Sequence, residues 1–320
     1  MALYAVTGGA GFIGSHLVDA LVARGDRVRV LDDLSSGTRE NLAAHGPGAL
    51  GSGASVELVQ GDIRDPALAR RACAGADGVL HEAAQVSVPR SVDDPVTSYD
   101  INVMGTLNLL EAARAEGVAR FVFAASSAAY GDAEELPKRE SMAPNPLSPY
   151  AAGKLAGEGL LAVWGRQYGL RTVCLRYFNI FGPRQADDSP YTGVIALFAR
   201  ALLEGSPVTI YGDGGQSRDF TYVDNAVRAN LLALEADVAP GAVFNVGSGE
   251  RITILELYRH MAGLLGRRAE PRFAPVRVGD VRHSLACLES ARAHLGYEPV
   301  VPWREGLART VAWYQSRRGA

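Results

Sequence analysis

The sequence is poor in the residues that mark several large protein classes. Its only cysteines are Cys73, Cys174 and Cys287, whose odd number and wide spacing predict reduced core thiols rather than a disulfide framework. Its six histidines show no metal-ligand spacing, so metal catalysis is not expected. No apolar run approaches the length of a membrane span, and a predicted strand begins too early to leave room for a signal peptide. These features favour a cytoplasmic protein.

The chain also lacks an excess of charge of either sign. A net charge of −3 and a pI near 6.1 give no electrostatic reason to expect binding to nucleic acid or to an anionic membrane. With 320 residues, the chain can bury a substantial core, as one large domain or as two closely joined ones.

A glycine-rich turn stands near the N-terminus. The run TGGAGFIG, residues 7–14, follows an apolar stretch at Leu3–Val6 and precedes a helical pattern from Ser15 to Val22. Glycines at 8, 11 and 14 permit a tight turn and close approach of the backbone to a ligand, while the helix N-terminus offers N–H groups to a pyrophosphate. This pattern predicts a dinucleotide-binding turn.

An acidic residue at the end of the next predicted strand indicates which dinucleotide binds. Residues 27–31 read as a strand that ends at Asp32, and an acid about 20 residues beyond such glycines binds the adenosine ribose diol. Its carboxylate would repel a 2′-phosphate, and Asp33 follows without an arginine beside it. NAD is therefore favoured over NADP.

Predicted strands and helices alternate through the first half of the chain. Helical patterns at Val96–Ala115 and Tyr150–Tyr168 separate short apolar strands, which predicts an α/β fold with a doubly wound parallel sheet of the Rossmann type. Beyond Gly182-Pro183 the elements are shorter and mixed, which predicts a smaller mixed α/β lobe. We expect the NAD-binding domain to comprise residues 1–176 plus about 220–247, and the lobe about 177–219 plus 248–320.

Tyr150 and Lys154 are the candidates for acid–base chemistry. Their spacing places both side chains on one helix face. A free phenol has a pKa near 10, whereas a neighbouring ammonium and a cationic nicotinamide ring favour the phenolate and lower that pKa. Such a phenolate can accept a hydroxyl proton from a sugar. A hydroxyl at Ser126-Ser127, where a predicted strand ends, can bridge substrate and tyrosine.

Nearly the whole chain resembles the extended short-chain dehydrogenases/reductases, and among them the UDP-hexose 4-epimerases. The N-terminal motifs that carry the resemblance are GxxGxxG at 8–14, LDDLSSG at 31–37, GDIRD at 61–65, HEAAQ at 81–85, NVMGT at 102–106 and YAAGK at 150–154. HEAAQ has Glu82 where an apolar residue is more usual. The C-terminal motifs are RYFNIFGPRQ at 176–185, SPYTGVI at 189–195, IYGDG at 210–214 and RDF at 218–220.

The resemblance implies specific roles for residues of this chain. It implies that Ser126, Tyr150 and Lys154 are catalytic, with Ser127 only a neighbour. The implied cofactor-binding residues are Gly8, Gly11, Phe12, Ile13, Gly14, Asp32, Asp33, Ser36, Gly37, Asp62, Ile63, Ala83, Ala84, Gln85, Asn102, Tyr150, Lys154 and Tyr177. The implied substrate-binding residues are Ser87, Ser126, Asn179, Val194, Tyr211, Arg218, Arg277, Asp280 and Ser284.

The implied reaction is inversion at C4 of a UDP-linked hexose through a 4-keto sugar. Tyr150 would take the 4-OH proton through Ser126 while the C4 hydride passes to NAD, and Lys154 would hold the nicotinamide ribose and keep Tyr150 ionised. Two arginines, Arg218 and Arg277, would clamp the diphosphate bidentately. In the family, a tyrosine at the position of Ser284 fills the space of an N-acetyl group, so serine implies that UDP-N-acetylglucosamine is accepted as well.

Three other functions are weighed against this reading. A 4,6-dehydratase commonly has Asp-Glu after the catalytic hydroxyl, where this chain has Ser127-Ala128. A UDP-glucuronate 4-epimerase or decarboxylase must hold a carboxylate, which Arg184 could do, so it is the main alternative. A catalytically silent NAD-binding sensor has no need of Ser126, Tyr150 and Lys154 together.

The two long helical segments predict an oligomer. Val96–Ala115 and Tyr150–Tyr168 carry apolar residues around more of their circumference than contact with one sheet requires. Related enzymes pair these helices across a dimer interface, so the resemblance implies a homodimer.

Overall fold

The computed structural model describes residues 1–187, 193–267, 270–276 and 281–318. Its strands are β1 (Leu3–Thr7), β2 (Arg27–Asp32), β3 (Val56–Gln60), β4 (Gly78–His81), β5 (Arg120–Ser126), β6 (Arg171–Tyr177), β7 (Ile180–Phe181), β8 (Thr209–Tyr211), β9 (Ser217–Arg218), β10 (Thr221–Tyr222), β11 (Ala242–Val246), β12 (Ile252–Thr253) and β13 (Arg272–Ala274).

The helices cover both sheet faces and build the C-terminal lobe. They are α1 (Phe12–Ala23), α2 (Pro66–Cys73), α3 (Val88–Asp93), α4 (Pro95–Tyr99), α5 (Gly105–Ala115), α6 (Pro149–Tyr168), α7 (Val194–Glu204), α8 (Val223–Glu235), α9 (Ile254–Leu264), α10 (Glu289–Leu295) and α11 (Trp303–Arg318). Among the described residues, no helix combines the length and apolar character that crossing a membrane requires.

Seven strands form one parallel sheet in the order β3-β2-β1-β4-β5-β6-β11. The strand order reverses between β1 and β4. In open sheets of this kind, ligands bind outside the carboxyl ends of the strands at such a reversal. The predicted doubly wound α/β fold is confirmed, and its binding crevice lies where the glycine turn follows β1.

An apolar layer covers each face of the sheet. On one face α1 and α8 pack together, and Leu17 and Leu234 join Val30 of β2 in a buried cluster. On the other face, Leu109 of α5 and Leu161 of α6 belong to a second cluster. Burial of one such side chain contributes about 1.5–3 kcal/mol. The two layers therefore fix the sheet edge on which the polar residues of the crevice stand.

The smaller lobe has its own apolar core. Phe198 of α7, Tyr258 of α9 and Trp303 of α11 belong to one buried cluster. Short strand pairs, β8 with β13, β9 with β12 and β7 with β10, border it. After β6 the chain enters this lobe and returns to the large sheet with α8 and β11. From β12 it builds the lobe again, except that α10 packs on β11 and α8.

One segment predicted as a single helix has a more complex form. Residues 96–115 belong to α4, a π-helical turn (Asp100–Met104) and α5. The wider turn places Asn102 beside Gln85, whose N–H donates to Asn102 Oδ1 at 2.9 Å and whose carbonyl accepts from Asn102 Nδ2 at 3.0 Å. The helical repeat of the sequence does not predict this turn, because the turn is tied to a contact with Gln85, a residue outside the helix.

The long segment between β2 and β3 packs against the glycine turn. It contains two 3₁₀ turns, Arg39–His45 and Leu50–Ser52. The Thr38 N–H and the Asn41 side-chain amide both donate to the carbonyl of Ala10, at 3.0 and 2.8 Å. Leu42 is fully buried in the core cluster of α1.

Candidate active site

The glycine turn between β1 and α1 leaves no room for a side chain at Gly8 or Gly14. Gly8 has a φ of +67°, and a Cβ there would lie 2.8 Å from the backbone nitrogen of Ala83. A Cβ on Gly14 would lie 2.1 Å from the carbonyl oxygen of Gly8, so the start of α1 packs directly on the turn. Gly11 precedes the helix, and Phe12 and Ile13 form its first turn. This close backbone cradle suits a dinucleotide pyrophosphate.

The carboxylate of Asp32 stands at the end of β2 beside this cradle. Asp32 Oδ2 accepts from the Ala10 N–H at 2.9 Å, and Oδ1 accepts from the Leu34 N–H at 2.8 Å. Burial raises the pKa of Asp32, and these backbone N–H donors act in the opposite direction. A Cβ on Gly37 would lie 2.7 Å from Ala10, so the turn that holds Asp33 and Ser36 also packs on the cradle.

The turn after β3 brings Asp62 and Ile63 to the same edge. Asp62 pairs with the Arg64 guanidinium at 2.6 Å, and this partner lowers the pKa of Asp62. Ile63 is buried against Gly105, where an added Cβ would lie 2.6 Å from its side chain. The predicted adenine-side residues thus occupy the edge formed by β2 and β3.

The turn after β4 forms the floor of the crevice. The Ala83 N–H donates to Thr7 Oγ1 at 3.3 Å, and Ala84 and Gln85 follow along the chain. Gln85 Nε2 donates to the carbonyl of Ser87 at 3.1 Å, and Ser87 caps α3 by accepting from the Arg90 N–H. Ser87, predicted to bind substrate, is therefore joined to the predicted cofactor residues Gln85 and Asn102.

Tyr150, Lys154 and Ser126 come together at the ends of β5 and α6. The side chain of Ser148 caps α6 and Pro149 is its first residue, which puts Tyr150 and Lys154 one turn apart in the first two turns. The Ser126 hydroxyl interacts with the Tyr150 phenol and lowers its pKa. Lys154 Nζ donates to the Ala124 carbonyl at 2.7 Å and lies 4.8 Å from the centre of the Phe123 ring. The geometry matches a base, a bridging hydroxyl and a fixed cation.

The protein raises the pKa of the Tyr150 phenol, whereas the sequence predicts a lowered pKa. Burial raises the pKa of Tyr150, the Ser126 hydrogen bond lowers it, and the carboxylate of Glu82 raises it further. Burial also lowers the pKa of Lys154, which the charge of Glu82 opposes. The protein alone therefore leaves Tyr150 protonated near neutral pH. Of the two positive charges expected to favour the phenolate, Lys154 and the nicotinamide ring, the ring belongs to the cofactor, and its effect would add to that of the protein.

Glu82 is a site residue for which the sequence offers a single signal, a charged side chain at a strand end where an apolar residue is more usual. It directly follows β4, and its Oε1 accepts from the Tyr177 hydroxyl at 2.7 Å. Asn230 Nδ2 of α8 donates to the same Tyr177 oxygen at 2.6 Å. These two partners are 95 and 148 residues away in sequence order, so no local pattern predicts the contact.

Three of the predicted substrate-binding residues, Asn179, Arg218 and Ser284, lie on the lobe side. Asn179, with a φ of +35°, precedes β7, and its Nδ2 donates to the Asp219 carbonyl at 3.1 Å. Arg218 Nη1 donates to the carbonyls of Ser217 and Arg282. The Ser284 N–H donates to the Ser217 carbonyl at 3.0 Å, which joins the segment of Ser284 to that of Arg218.

The remaining predicted substrate residues are less closely grouped. Tyr211 ends β8, and its carbonyl accepts from Gln216 Nε2 at 2.7 Å. Val194 begins α7. Arg277 and Asp280 lie outside the described residues.

Asp219 joins separate segments of the lobe, a role that the sequence analysis does not predict. Its buried carboxylate accepts from the N–H groups of Ser248, Gly249 and Ala286 and from the Ser248 hydroxyl. Burial raises its pKa, and these donors lower it. Asp219 follows Arg218 directly, so this network fixes the backbone that presents the arginine.

Arg184, the residue considered for a substrate carboxylate, already has a partner. Its guanidinium lies 2.8 Å from the carboxylate of Asp19 on α1. Arg184 also has a positive φ of 67°. This ion pair gives no support to a uronate as substrate.

Comparison with known proteins decides the family. The chain matches the NAD dependent epimerase/dehydratase family over residues 4–247. It belongs to this family. It is 43% identical to the UDP-glucose 4-epimerase of Mycolicibacterium smegmatis, over 98% of each chain.

Solved structures give the same result. The UDP-glucose 4-epimerase of Thermotoga maritima with UDP-glucose is 39% identical, with a TM-score of 0.92 and coverage of 99% of this chain and 100% of that one. The UDP-N-acetylglucosamine 4-epimerase from Methanobrevibacter ruminantium M1, in complex with UDP-N-acetylmuramic acid, is 38% identical with the same TM-score, over 99% and 98%. The predicted family, the NAD cofactor and the enzyme class, an NAD-dependent nucleotide-sugar epimerase, are confirmed.

Proposed function

We propose that this epimerase inverts C4 of UDP-glucose and UDP-galactose, and of their N-acetyl forms, and so serves galactose metabolism. The observation that carries the proposal is the meeting of Tyr150 and Lys154, one helical turn apart at the start of α6, with the end of β5, where Ser126 lowers the pKa of Tyr150 and Lys154 donates to the Ala124 carbonyl. The relatives named above support the reaction, because they are UDP-sugar 4-epimerases.

Tyr150 and Ser126 move the proton. The phenolate of Tyr150 accepts the proton of the sugar 4-OH, directly or through the hydroxyl of Ser126, which lowers the pKa of Tyr150. NAD held in the crevice would supply the acceptor for the C4 hydride and the source of its return. After the 4-keto sugar has turned over, Tyr150 gives its proton back to the carbonyl oxygen. Lys154, fixed by Ala124, supplies the positive charge beside the crevice.

The two parts of the chain divide the binding. We propose that residues 1–176 with about 220–247 hold NAD, and that about 177–219 with 248–320 hold the nucleotide sugar. Within the lobe, Arg218 would contact the diphosphate, Tyr211 the uracil, and Asn179 the sugar side of the diphosphate. Val194 and Ser87 would border the same ligand, with Arg277 and Asp280 on the diphosphate and ribose.

Product analysis tests this function. The purified enzyme is incubated separately with UDP-glucose, UDP-N-acetylglucosamine and UDP-glucuronate, and the products are resolved by chromatography. We expect the C4 epimers of the first two sugars and no decarboxylated product from the third. A decarboxylated or dehydrated product as the main one would contradict the proposal.

Substitution of Ser284 by tyrosine should narrow the substrate range. Ser284 is half-buried beside Ser217 and Arg218 in the proposed sugar pocket. Overfilling a packed site costs about 1–3 kcal/mol, or about 10- to 100-fold in kcat/KM. We therefore expect Ser284→Tyr to lose that factor on UDP-N-acetylglucosamine and to keep its activity on UDP-glucose. Steady-state kinetics on both sugars measure the difference.

Ser284→Ala is the matched control, because it removes the hydroxyl without adding volume. It should use both sugars as the wild type does. Equal kcat/KM of Ser284→Tyr and wild type on UDP-N-acetylglucosamine would show that other residues set the pocket size.

We also propose a cytoplasmic homodimer. Apolar side chains on α4, the π-helical turn and α6 are exposed, among them Val96 (78% exposed), Met104 and Val163. Surfaces of this kind are typical of protein–protein interfaces. Light scattering at micromolar concentration should give twice the chain mass of 33.9 kDa.

Aspartate at Val163 should weaken this dimer. The charge would be buried in the proposed interface, whereas Val300→Asp places the same charge on an exposed valine of the C-terminal lobe and serves as the control. A wild-type mass of a single chain, or equal masses for the two variants, would contradict the interface.

A further inference from the structure

The carboxylate of Glu82 lies on the floor of the NAD crevice, next to the glycine turn. A Cβ placed on Gly8 would lie 3.1 Å from the carbonyl carbon of Glu82, and the Glu82 N–H donates to the Thr7 carbonyl at 3.1 Å. The backbone of Glu82 is thereby fixed between β1 and β4. Its side chain extends from this point toward β6, where Tyr177 receives it.

The hydrogen bonds around Tyr177 hold Glu82 as an acceptor. Asn230 Nδ2 donates to the Tyr177 oxygen at 2.6 Å and to the Ala226 carbonyl at 2.9 Å, which fixes the orientation of the amide. Since the Tyr177 oxygen accepts from Asn230, its proton is directed to Glu82 Oε1 at 2.7 Å. Burial raises the pKa of Glu82 to about 7, although this hydrogen bond and the charge of Lys154 act to lower it, so the carboxylate carries its full charge above neutral pH. A charge-assisted bond of this kind favours the ionised carboxylate.

The negative charge acts on both groups of the catalytic pair. It raises the pKa of Lys154, and so preserves the ammonium, and it raises the pKa of Tyr150, and so opposes the phenolate. A charge with only this effect on Tyr150 would hinder proton removal. The charge of Glu82 therefore favours the reaction only through another group in the crevice, one that is stabilised when it is positive.

The oxidised nicotinamide ring is such a group, since it is positive in NAD⁺ and neutral in NADH. An epimerase releases product only after the hydrogen has returned to the sugar, so a crevice that favours NAD⁺ protects the enzyme from being left in the reduced form. We propose that Glu82 is a positioning residue whose carboxylate, held by Tyr177 and Asn230, serves as counter-charge to the nicotinamide and biases the bound cofactor toward NAD⁺. The inference rests on the proposed function, which places the reacting end of NAD beside Tyr150.

A competition experiment on the holoenzyme measures this bias without turnover. Wild type and Glu82→Gln are equilibrated with mixtures of NAD⁺ and NADH in known ratio, free nucleotide is removed, and the bound nucleotides are released and quantified. Two unit charges several ångström apart at an effective dielectric constant near 20 interact by more than about 1.4 kcal/mol, so we expect the bound ratio to shift toward NADH by about tenfold or more. Glu82→Leu, neutral but without the amide, should shift the ratio in the same direction.

Two controls separate the charge from other effects. Glu140→Gln removes a carboxylate that accepts from the Asn245 N–H of β11, and it should leave the ratio unchanged. Glu82→Asp retains the charge and should retain most of the wild-type ratio. A wild-type ratio in either neutral variant of Glu82 that is still folded, or an equal shift in Glu140→Gln, overturns the inference. If the proposed function fails instead, the wild type forms no epimer product, while the neutral Glu82 variants still shift the bound ratio of NAD⁺ to NADH.

Discussion

Replacement of Tyr150 by phenylalanine should abolish turnover while the protein still folds and binds NAD. Phenylalanine keeps the ring at the start of α6 but lacks the oxygen whose pKa Ser126 lowers. Removal of a general base typically lowers the rate by about 10²- to 10⁴-fold. The measurement is kcat for UDP-glucose, with NAD content and thermal unfolding recorded on the same preparations.

The pH dependence is part of this prediction. The residual rate of Tyr150→Phe should not change over the pH range in which the wild-type phenol ionises, since a phenylalanine side chain cannot titrate. Tyr168→Phe, an exposed tyrosine at the other end of α6, is the control and should leave kcat unchanged. Turnover near that of the wild type in Tyr150→Phe at any pH would refute the proposed base.

Substitution of Ser126 by alanine should lower kcat and move the activity to higher pH. The Ser126 hydrogen bond lowers the pKa of Tyr150, so its loss raises that pKa. The phenolate then forms only at higher pH, and the acidic limb of the pH profile shifts upward. A hydrogen bond to a charged group contributes about 1.5–3 kcal/mol, which corresponds to a loss of about 10- to 100-fold at neutral pH.

Ser126→Thr preserves the hydroxyl and is the matched variant, while Ser127→Ala removes the neighbouring hydroxyl. Both should keep the pH profile of the wild type. If Ser126→Ala lowers kcat without moving the acidic limb, the hydroxyl acts on the substrate alone and does not tune Tyr150. If Ser127→Ala shifts the profile instead, the assignment of the two serines is reversed.

The parts of the site that the sequence predicts are those fixed by local geometry. The glycines at 8 and 14 stand where a side chain would collide with Ala83 or with the turn itself, and this constraint is visible in residue type and spacing. Tyr150 and Lys154 are four residues apart on one helix, so their shared face follows from the helical repeat. Neither inference required knowledge of distant partners.

The parts that the sequence did not predict depend on contacts between distant segments. Glu82, Tyr177 and Asn230 meet because β4 and β6 end at the same sheet edge and α8 packs beside them. The buried carboxylate of Asp219 likewise binds backbone groups near 248 and 286. The raised pKa of Tyr150 has the same origin, because burial by the surrounding elements outweighs the local hydroxyl.

Deuterium at C4 of UDP-glucose provides the most direct test of C4 inversion by an NAD-dependent epimerase. The enzyme is incubated in ordinary water with the C4-deuterated sugar, and UDP-galactose is isolated for mass spectrometry and NMR. Because the same hydrogen is taken from C4 and returned to it, we predict that UDP-galactose retains the deuterium at C4. UDP-galactose that has lost its deuterium to solvent, or that carries it at another carbon, would contradict this mechanism.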